Sequence, residues 1–158
     1  MGAMRITVDD LTDPAVIDLL DGHVSQLRSM SPPESTHALD LDGLRAPGVT
    51  LWVARADDAV LGCGALAEIE PGHGEVKSMR TAPDAQRRGV ARAVLGEILA
   101  EARRRGLARV SLETGSDDFF APARALYAAH GFTECVPFGA YRPDPLSTFM
   151  TLELRPRD

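Results

Sequence analysis

A six-residue stretch, Gln86-Arg87-Arg88-Gly89-Val90-Ala91, runs a strand pattern directly into a helix pattern. Upstream, residues 74–81 (Gly-Glu-Val-Lys-Ser-Met-Arg-Thr) read as a strand. Downstream, Val90, Val94, Leu95, Ile98, Leu99 and Ala102 recur at helical spacing, which predicts a helix over about 89–105 stopped by Gly106. A turn of this kind aims several backbone N–H groups at one point. The helix dipole adds roughly half a positive charge at the same end. Together they predict a site for a phosphate or pyrophosphate. The small residues Gly89 and Ala91 let a ligand approach the backbone, and Arg87, Arg88 and Arg92 form a local basic patch. A chain with this junction is constrained to a mixed α/β fold.

Other phosphate-binding folds fit less well. No Gly-Lys-Ser/Thr follows the loop, so it is not a Walker motif, and a full Gly-x-Gly-x-x-Gly fingerprint is missing. The formal net charge of −6 opposes general nucleic-acid binding. No apolar run approaches the ~20 residues of a membrane span. The start carries no secretion pattern, and residues 1–3 read as an addition to a native start near Met4. Cys63 and Cys135 lie in apolar, strand-like segments and read as buried free thiols in a reducing cytoplasm. His23, His37, His73 and His130 are scattered, so no metal site is expected.

Along the chain, residues 5–8 alternate as a short strand. Asp13-Pro14 opens a helix whose apolar stripe is Val16, Leu19, Leu20, Val24, Leu27 and Met30. Ser31-Pro32-Pro33 breaks it, and residues 34–44 read as a second, short helix. A hairpin of strands follows over 49–55 and 60–69, with Asp57-Asp58 as its turn. After the long helix come a strand over 109–113, a helix opened by Pro122 and ended by His130-Gly131, and strands over 132–136 and 149–154. There is no repeat, low-complexity tract or composition break, so the 158 residues read as one domain.

About forty residues beyond the loop lies Ala123-Arg124-Ala125-Leu126-Tyr127-Ala128-Ala129-His130-Gly131-Phe132. The two segments together resemble the GCN5-related N-acetyltransferases (the GNAT family). That family's loop pattern, Gln/Arg-x-x-Gly-x-Gly/Ala, is matched by Gln86, Gly89 and Ala91. Its later signature, Ala-x-x-Leu-Tyr-x-x-x-Gly-Phe, is matched by Ala123, Leu126, Tyr127, Gly131 and Phe132. The order of elements agrees over nearly the whole chain. The resemblance implies a mostly antiparallel, twisted central sheet of six to seven strands, about four flanking helices, and splayed central strands. One position departs: the family often has Asn seven residues before the tyrosine, and here Phe120 stands there. Residues 31–35, 62–66, 77–81, 112–116 and 137–141 also look like a bacterial branch of the family. Some members of that branch are linked to indole-acetic-acid production, for which these residues give no chemical reason.

The resemblance implies acetyl-CoA as donor. Its pyrophosphate would lie on the amides of Arg87, Arg88, Gly89, Val90 and Ala91, with Gln86 and Arg92 beside them. Its pantetheine arm would run along Met79, Arg80 and Thr81, and an N–H near Met79 would stabilise the oxyanion. Tyr127 would protonate or hydrogen-bond the leaving thiolate. The acceptor amine must lose a proton; Glu113 is the first candidate base, with Glu75 and Glu68 as other carboxylates and a water relay as another route. Strand alternation would place Glu75, Lys77, Met79 and Thr81 on one side. Glu34, His37, Tyr141 and Arg142 lie where the family builds its acceptor site. An arginine- and tyrosine-lined site suits an acceptor with a carboxylate.

Plainer roles compete: Tyr127 as a packed core ring, Met79 as core, Glu113 as a partner for an arginine or a loop N–H, and the acceptor-site residues as exposed loop. The implied activity is acetyl transfer to the amine of a small molecule. A non-catalytic acyl-CoA-binding module and an acetyltransferase acting on protein lysines or N-termini are the alternatives. No nucleic-acid or membrane partner is expected. Dimers are common in such families, and the oligomeric state stays open.

Overall fold

The computed structural model describes residues 3–30 and 41–154, excluding the side chains of 23–30. Among the described residues, seven strands form one sheet: β1 (Arg5–Asp9), β2 (Val49–Ala56), β3 (Ala59–Glu70), β4 (His73–Thr81), β5 (Arg109–Gly115), β6 (Thr133–Glu134) and β7 (Ser147–Glu153). Their spatial order is β1-β2-β3-β4-β5-β7-β6. Every neighbouring pair is antiparallel except β4 and β5, which run parallel. A parallel pair needs a crossover, and α3 (Val90–Arg104) supplies it. The other helices are α1 (Pro14–Met30), α2 (Leu41–Leu44) and α4 (Ala121–Ala129).

Two hydrophobic cores lie on opposite faces of the sheet. On one face, Val90, Val94, Leu95, Ile98 and Ala102 of α3 pack with Trp52, Leu66, Val76, Val110, Leu112, Tyr127 and Met150. On the other, Val16 and Leu20 of α1 and Leu44 of α2 pack with Leu51, Val53, Cys63 and Ala65. Period-2 alternation on β2 and β3 feeds both cores. Helix α3 ends where Gly106 takes a left-handed φ of 73° and the Leu107 N–H reaches back to the Ala102 carbonyl (3.0 Å). In its last turn, Arg104 and Arg105 pair with Glu101.

Two expectations change, and a third lies partly outside the described residues. The strand read over 132–136 is only Thr133–Glu134. The Phe132 N–H bonds the Tyr127 carbonyl at 3.1 Å as part of the turn closing α4, and Phe132 is a buried core residue. Cys135 is half-buried, whereas Cys63 is buried. Of the helix read over 34–44, the described part is Leu41–Leu44; residues 34–40 lie outside the described residues, as do the side chains of Val24, Leu27 and Met30.

Candidate active site

The junction ahead of α3 takes the shape its sequence predicts. Gln86 is extended (φ −65°, ψ 151°), Arg87 is left-handed (φ 66°), and Gly89 is left-handed again (φ 79°, ψ 15°). Repeated left-handed residues turn successive amides toward one concavity. The Ala93 N–H takes the Gly89 carbonyl (3.0 Å), so the amides before it belong to the outward-pointing first turn. A Cβ built on Gly89 would meet nothing within 4 Å. Gln86, Arg87, Arg88 and Arg92 are exposed, Ala91 is half-buried, and Val90 anchors the helix in the core. This donor set fits a diphosphate.

Beside the junction the sheet opens. Strands β4 and β5 pair from His73↔Arg109 to Val76↔Leu112, and then part, although β4 continues to Thr81 and β5 to Gly115. The divergence coincides with a bulge. Cys63 pairs with Arg80 and Ala65 with Lys77, so β4 carries one extra residue against β3. Ser78 takes a left-handed φ of 57° to accommodate it. Open amides and carbonyls along a parting strand can take an extended ligand as if it were another strand.

The bulge corrects one expectation. Alternation would have put Glu75, Lys77, Met79 and Thr81 on one side. Instead Met79 packs against the α3 core, where a Cβ on Gly64 would overlap its sulfur. Thr81 shares that face through its pairing with Gly62, beside Val90. Arg80 pairs with Cys63 and so falls on the α1 face with Glu75 and Lys77.

Glu113 stands at the rim of the gap, half-buried, accepting a 2.7 Å hydrogen bond from Ser147 Oγ. Burial first, and then the negative field of Glu75, push its carboxyl up to about 7; Ser147 and Lys77 oppose that shift. Tyr127 of α4 is 6% exposed and packs edge-on against Phe132 at 5.8 Å. Burial, then the charge of Glu113, raises its hydroxyl pKa, so it remains a proton donor at neutral pH.

The 135–146 loop covers the face carrying Glu113. Tyr141 packs against Phe138 (5.1 Å) and Phe149 (5.5 Å), and its hydroxyl donates to Glu75 Oε2 at 2.5 Å. Lys77 Nζ lies 3.2 Å from the same oxygen. Glu75 is only 4% exposed, and these two donors offset its desolvation. Arg142, next in the chain, is exposed. Glu68 lies outside the cluster, exposed near the far end of β3. Glu34 and His37 lie outside the described residues.

Phe120, at the family's asparagine position, lies against Gly115, where any Cβ would overlap its ring. Sequence reasoning missed Ser147 and Phe149. Their signal was the period-2 pattern of β7, which puts both on the face of Glu113 once Phe149 pairs with Glu113.

Comparison with known proteins identifies the family and the fold. Residues 16–132 match the acetyltransferase (GNAT) family model. The chain is 51% identical over 151 residues to YsnE, an uncharacterized N-acetyltransferase of Bacillus subtilis, covering 96% of this chain and 100% of that one. It is 44% identical over 137 residues to a protein named IAA acetyltransferase from Azospirillum brasilense, covering 86% and 88%. A Klebsiella pneumoniae protein assigned as an acyl-CoA N-acyltransferase superposes with a TM-score of 0.81 at 30% identity, covering 96% and 98%. The PaiA N-acetyltransferase of Thermoplasma acidophilum, solved with coenzyme A, shares the fold at a TM-score of 0.74 and 13% identity, covering 96% and 99%. With a parted β4/β5 pair, a left-handed junction opening α3 and this set of relatives, the chain belongs to the GNAT acetyltransferase family.

Proposed function

We propose that this protein transfers an acetyl group from acetyl-CoA to the primary amine of a small molecule, by direct attack with donor and acceptor bound together. The observation that carries the reading is the parted β4/β5 pair, with an amide-rich helix start on one side and the half-buried Glu113 carboxyl on the other. The amides of residues 87–91 would hold the donor's pyrophosphate, with the exposed arginines 87, 88 and 92 around it. The edge of β4 at Met79, Arg80 and Thr81 would hold the pantetheine arm. A carboxyl near 7 suits a base that must accept a proton at neutral pH. Glu113 would take the proton of the acceptor amine, directly or through water. Tyr127, kept protonated by burial, would donate to the departing sulfur as the new N–C bond forms and the C–S bond breaks.

The 135–146 loop lies across the acceptor face as far as β3, where Gly139 approaches Ile69. A covered face supports a small acceptor over a protein chain. The two free cysteines support a reducing, cytoplasmic setting. A second reading, an acyl-CoA-binding module without turnover, draws on Phe120 in place of the family asparagine. Titration calorimetry with acetyl-CoA, combined with a thiol-release assay over a panel of amines, separates the two. Heat of binding and amine-dependent thiol release are expected. Binding without thiol release for any amine selects the module, and no binding at all overturns both.

A further inference from the structure

The acceptor face carries a three-membered polar ring. Tyr141 OH to Glu75 Oε2 is 2.5 Å, Lys77 Nζ to Glu75 Oε2 is 3.2 Å, and Lys77 Nζ to Tyr141 OH is 3.3 Å. The ammonium also stands 5.5 Å from the Tyr141 ring centroid. Two members come from β4; the third arrives from a loop more than sixty residues away in sequence. Aromatic contacts hold that loop down: Phe138 against His73 (5.7 Å) and Phe149 (5.9 Å), and Tyr141 against Phe149. Phe149 is itself the residue paired with Glu113. The ring therefore sits one strand from the candidate base, where the two strands part.

Resting on the acetyl-transfer reading above, we propose that Glu75 is a positioning residue: fixed by Tyr141 and Lys77, it acts on the reaction through Glu113, and this clamp, rather than Glu113 alone, decides the pH at which the acceptor amine is deprotonated. The physical route is through-space charge. Glu113 faces Glu75 and Lys77 from β4, the Ser147 hydroxyl from β7, Asp144 and Tyr141 from the covering loop, and Tyr127 from α4. The Glu75 carboxylate opposes ionisation of Glu113, and the Lys77 ammonium favours it. The two act on Glu113 with opposite signs, Glu75 the more strongly. Disturbing one member exposes the other.

This gives the clamp a signature that simple loss of packing lacks. Glu75→Gln keeps the shape, removes the negative charge and leaves Lys77 uncompensated. Loss of that opposing field favours ionised Glu113. Lys77→Gln removes the cation and leaves Glu75, which disfavours it. The titration of Glu113 should move down in the first variant and up in the second, by at least about half a pH unit each, the scale of a nearby unit charge in a partly solvated site.

The test uses the full chain labelled with ¹³C at glutamate carboxyls. Glu113 is assigned by its loss in Glu113→Gln, and NMR titration without ligand is combined with kcat–pH profiles by thiol release. Opposite shifts of the Glu113 resonance, followed by the acid limb of kcat in the same directions, support the proposal. Shifts of the same sign, or none, in variants that keep their far-ultraviolet circular dichroism overturn it. So do opposed NMR shifts with an unmoved kcat limb. Tyr141→Phe adds a control on the clamp: it should raise the KM for the amine and reduce the difference between the two charge variants. A parent protein releasing no thiol with any amine would sink the transferase reading instead, a result distinct from failure of the opposed shifts.

Discussion

Under the proposed mechanism, Glu113 is the residue where catalysis and stability pull apart. Its carboxyl rises from 4.5 to about 7 on folding. The native state thus holds this proton more tightly than the unfolded chain. A carboxyl raised in this way favours folding less as pH climbs from 4.5 to 7, and the full cost is present above 7. The shift corresponds to a cost on the order of 3 kcal/mol at alkaline pH. Glu113→Gln should therefore be more stable than the parent at pH 8, by up to that amount, while losing most acetyl transfer. At pH 4.5 the two should melt alike. Thermal melts across that range check it; an equal difference at both ends would mean that burial of Glu113 is not what moves its proton. Gly115 makes a second residue-scale case. Phe120 occupies the space a Cβ there would need, so Gly115→Ala should cost about 1–3 kcal/mol by overpacking. Introduced into Phe120→Ala, the same change should cost much less, since the obstructing ring is gone. Additive costs in that double-mutant cycle would refute the contact.

At the scale of elements, the β4 bulge decides what the sheet can do. A non-glycine residue held left-handed costs roughly 1–2 kcal/mol, and Ser78 bears that cost where the strand leaves its partner. Glycine fits the conformation without steric cost, so Ser78→Gly should melt within about 1 kcal/mol of the parent and keep its affinity for acetyl-CoA. Valine resists it and favours regular pairing; Ser78→Val should lose about 1–2 kcal/mol and bind acetyl-CoA more weakly in calorimetry. Equal affinity in the two variants would show that the bulge does not shape the gap. Ser78 also marks where sequence legibility ended. The junction at 86–91 was readable because its signals are local: a switch from period 2 to period 3.6 and a glycine at the turn. The segment 74–81 reads as plain alternation, because nothing in Lys77-Ser78-Met79 announces an extra residue. The bulge arises from registering β4 against β3, a relation between strands. The Tyr141–Glu75 bond and the Phe120–Gly115 contact are hidden for the same reason: their partners are remote in sequence or set by a loop's path. Glu113 was legible as a carboxylate on the strand after the long helix, whereas its elevated pKa comes from burial first and then Glu75, which only the fold supplies.

For the whole molecule, the parted pair makes the gap a seam. Strands β2 and β3 are backed by hydrophobic core on both faces, with α1 and α2 on one and α3 on the other. The β5, β7 and β6 side shares the α3-face core, and its other face is closed by the loop residues Phe138 and Tyr141 packed against Phe149 of β7. Among the described residues, the two halves of the sheet pair only through the His73–Val76 register with Arg109–Leu112. A ligand lying along β4 beyond Val76 would fill the part of the seam that protein does not close. It would couple the halves as well as occupy a site. Binding to the native state alone stabilises by ~2.7 kcal/mol at a hundredfold excess over Kd. For a domain of this size that is a rise in melting temperature of about 5–10 °C. The same ligand should slow amide exchange at three places together: the 87–91 junction, the parted end of β4 and the parted end of β5. Exchange in the outer strands β1 and β6 should respond least. Thermal melts and hydrogen exchange with acetyl-CoA read both effects. A melting shift with protection confined to 87–91 would mean that the phosphates are held while the pantetheine arm never enters the seam. The chain would then grip its donor without aiming it, and the acetyl-transfer reading would fail at its geometric step.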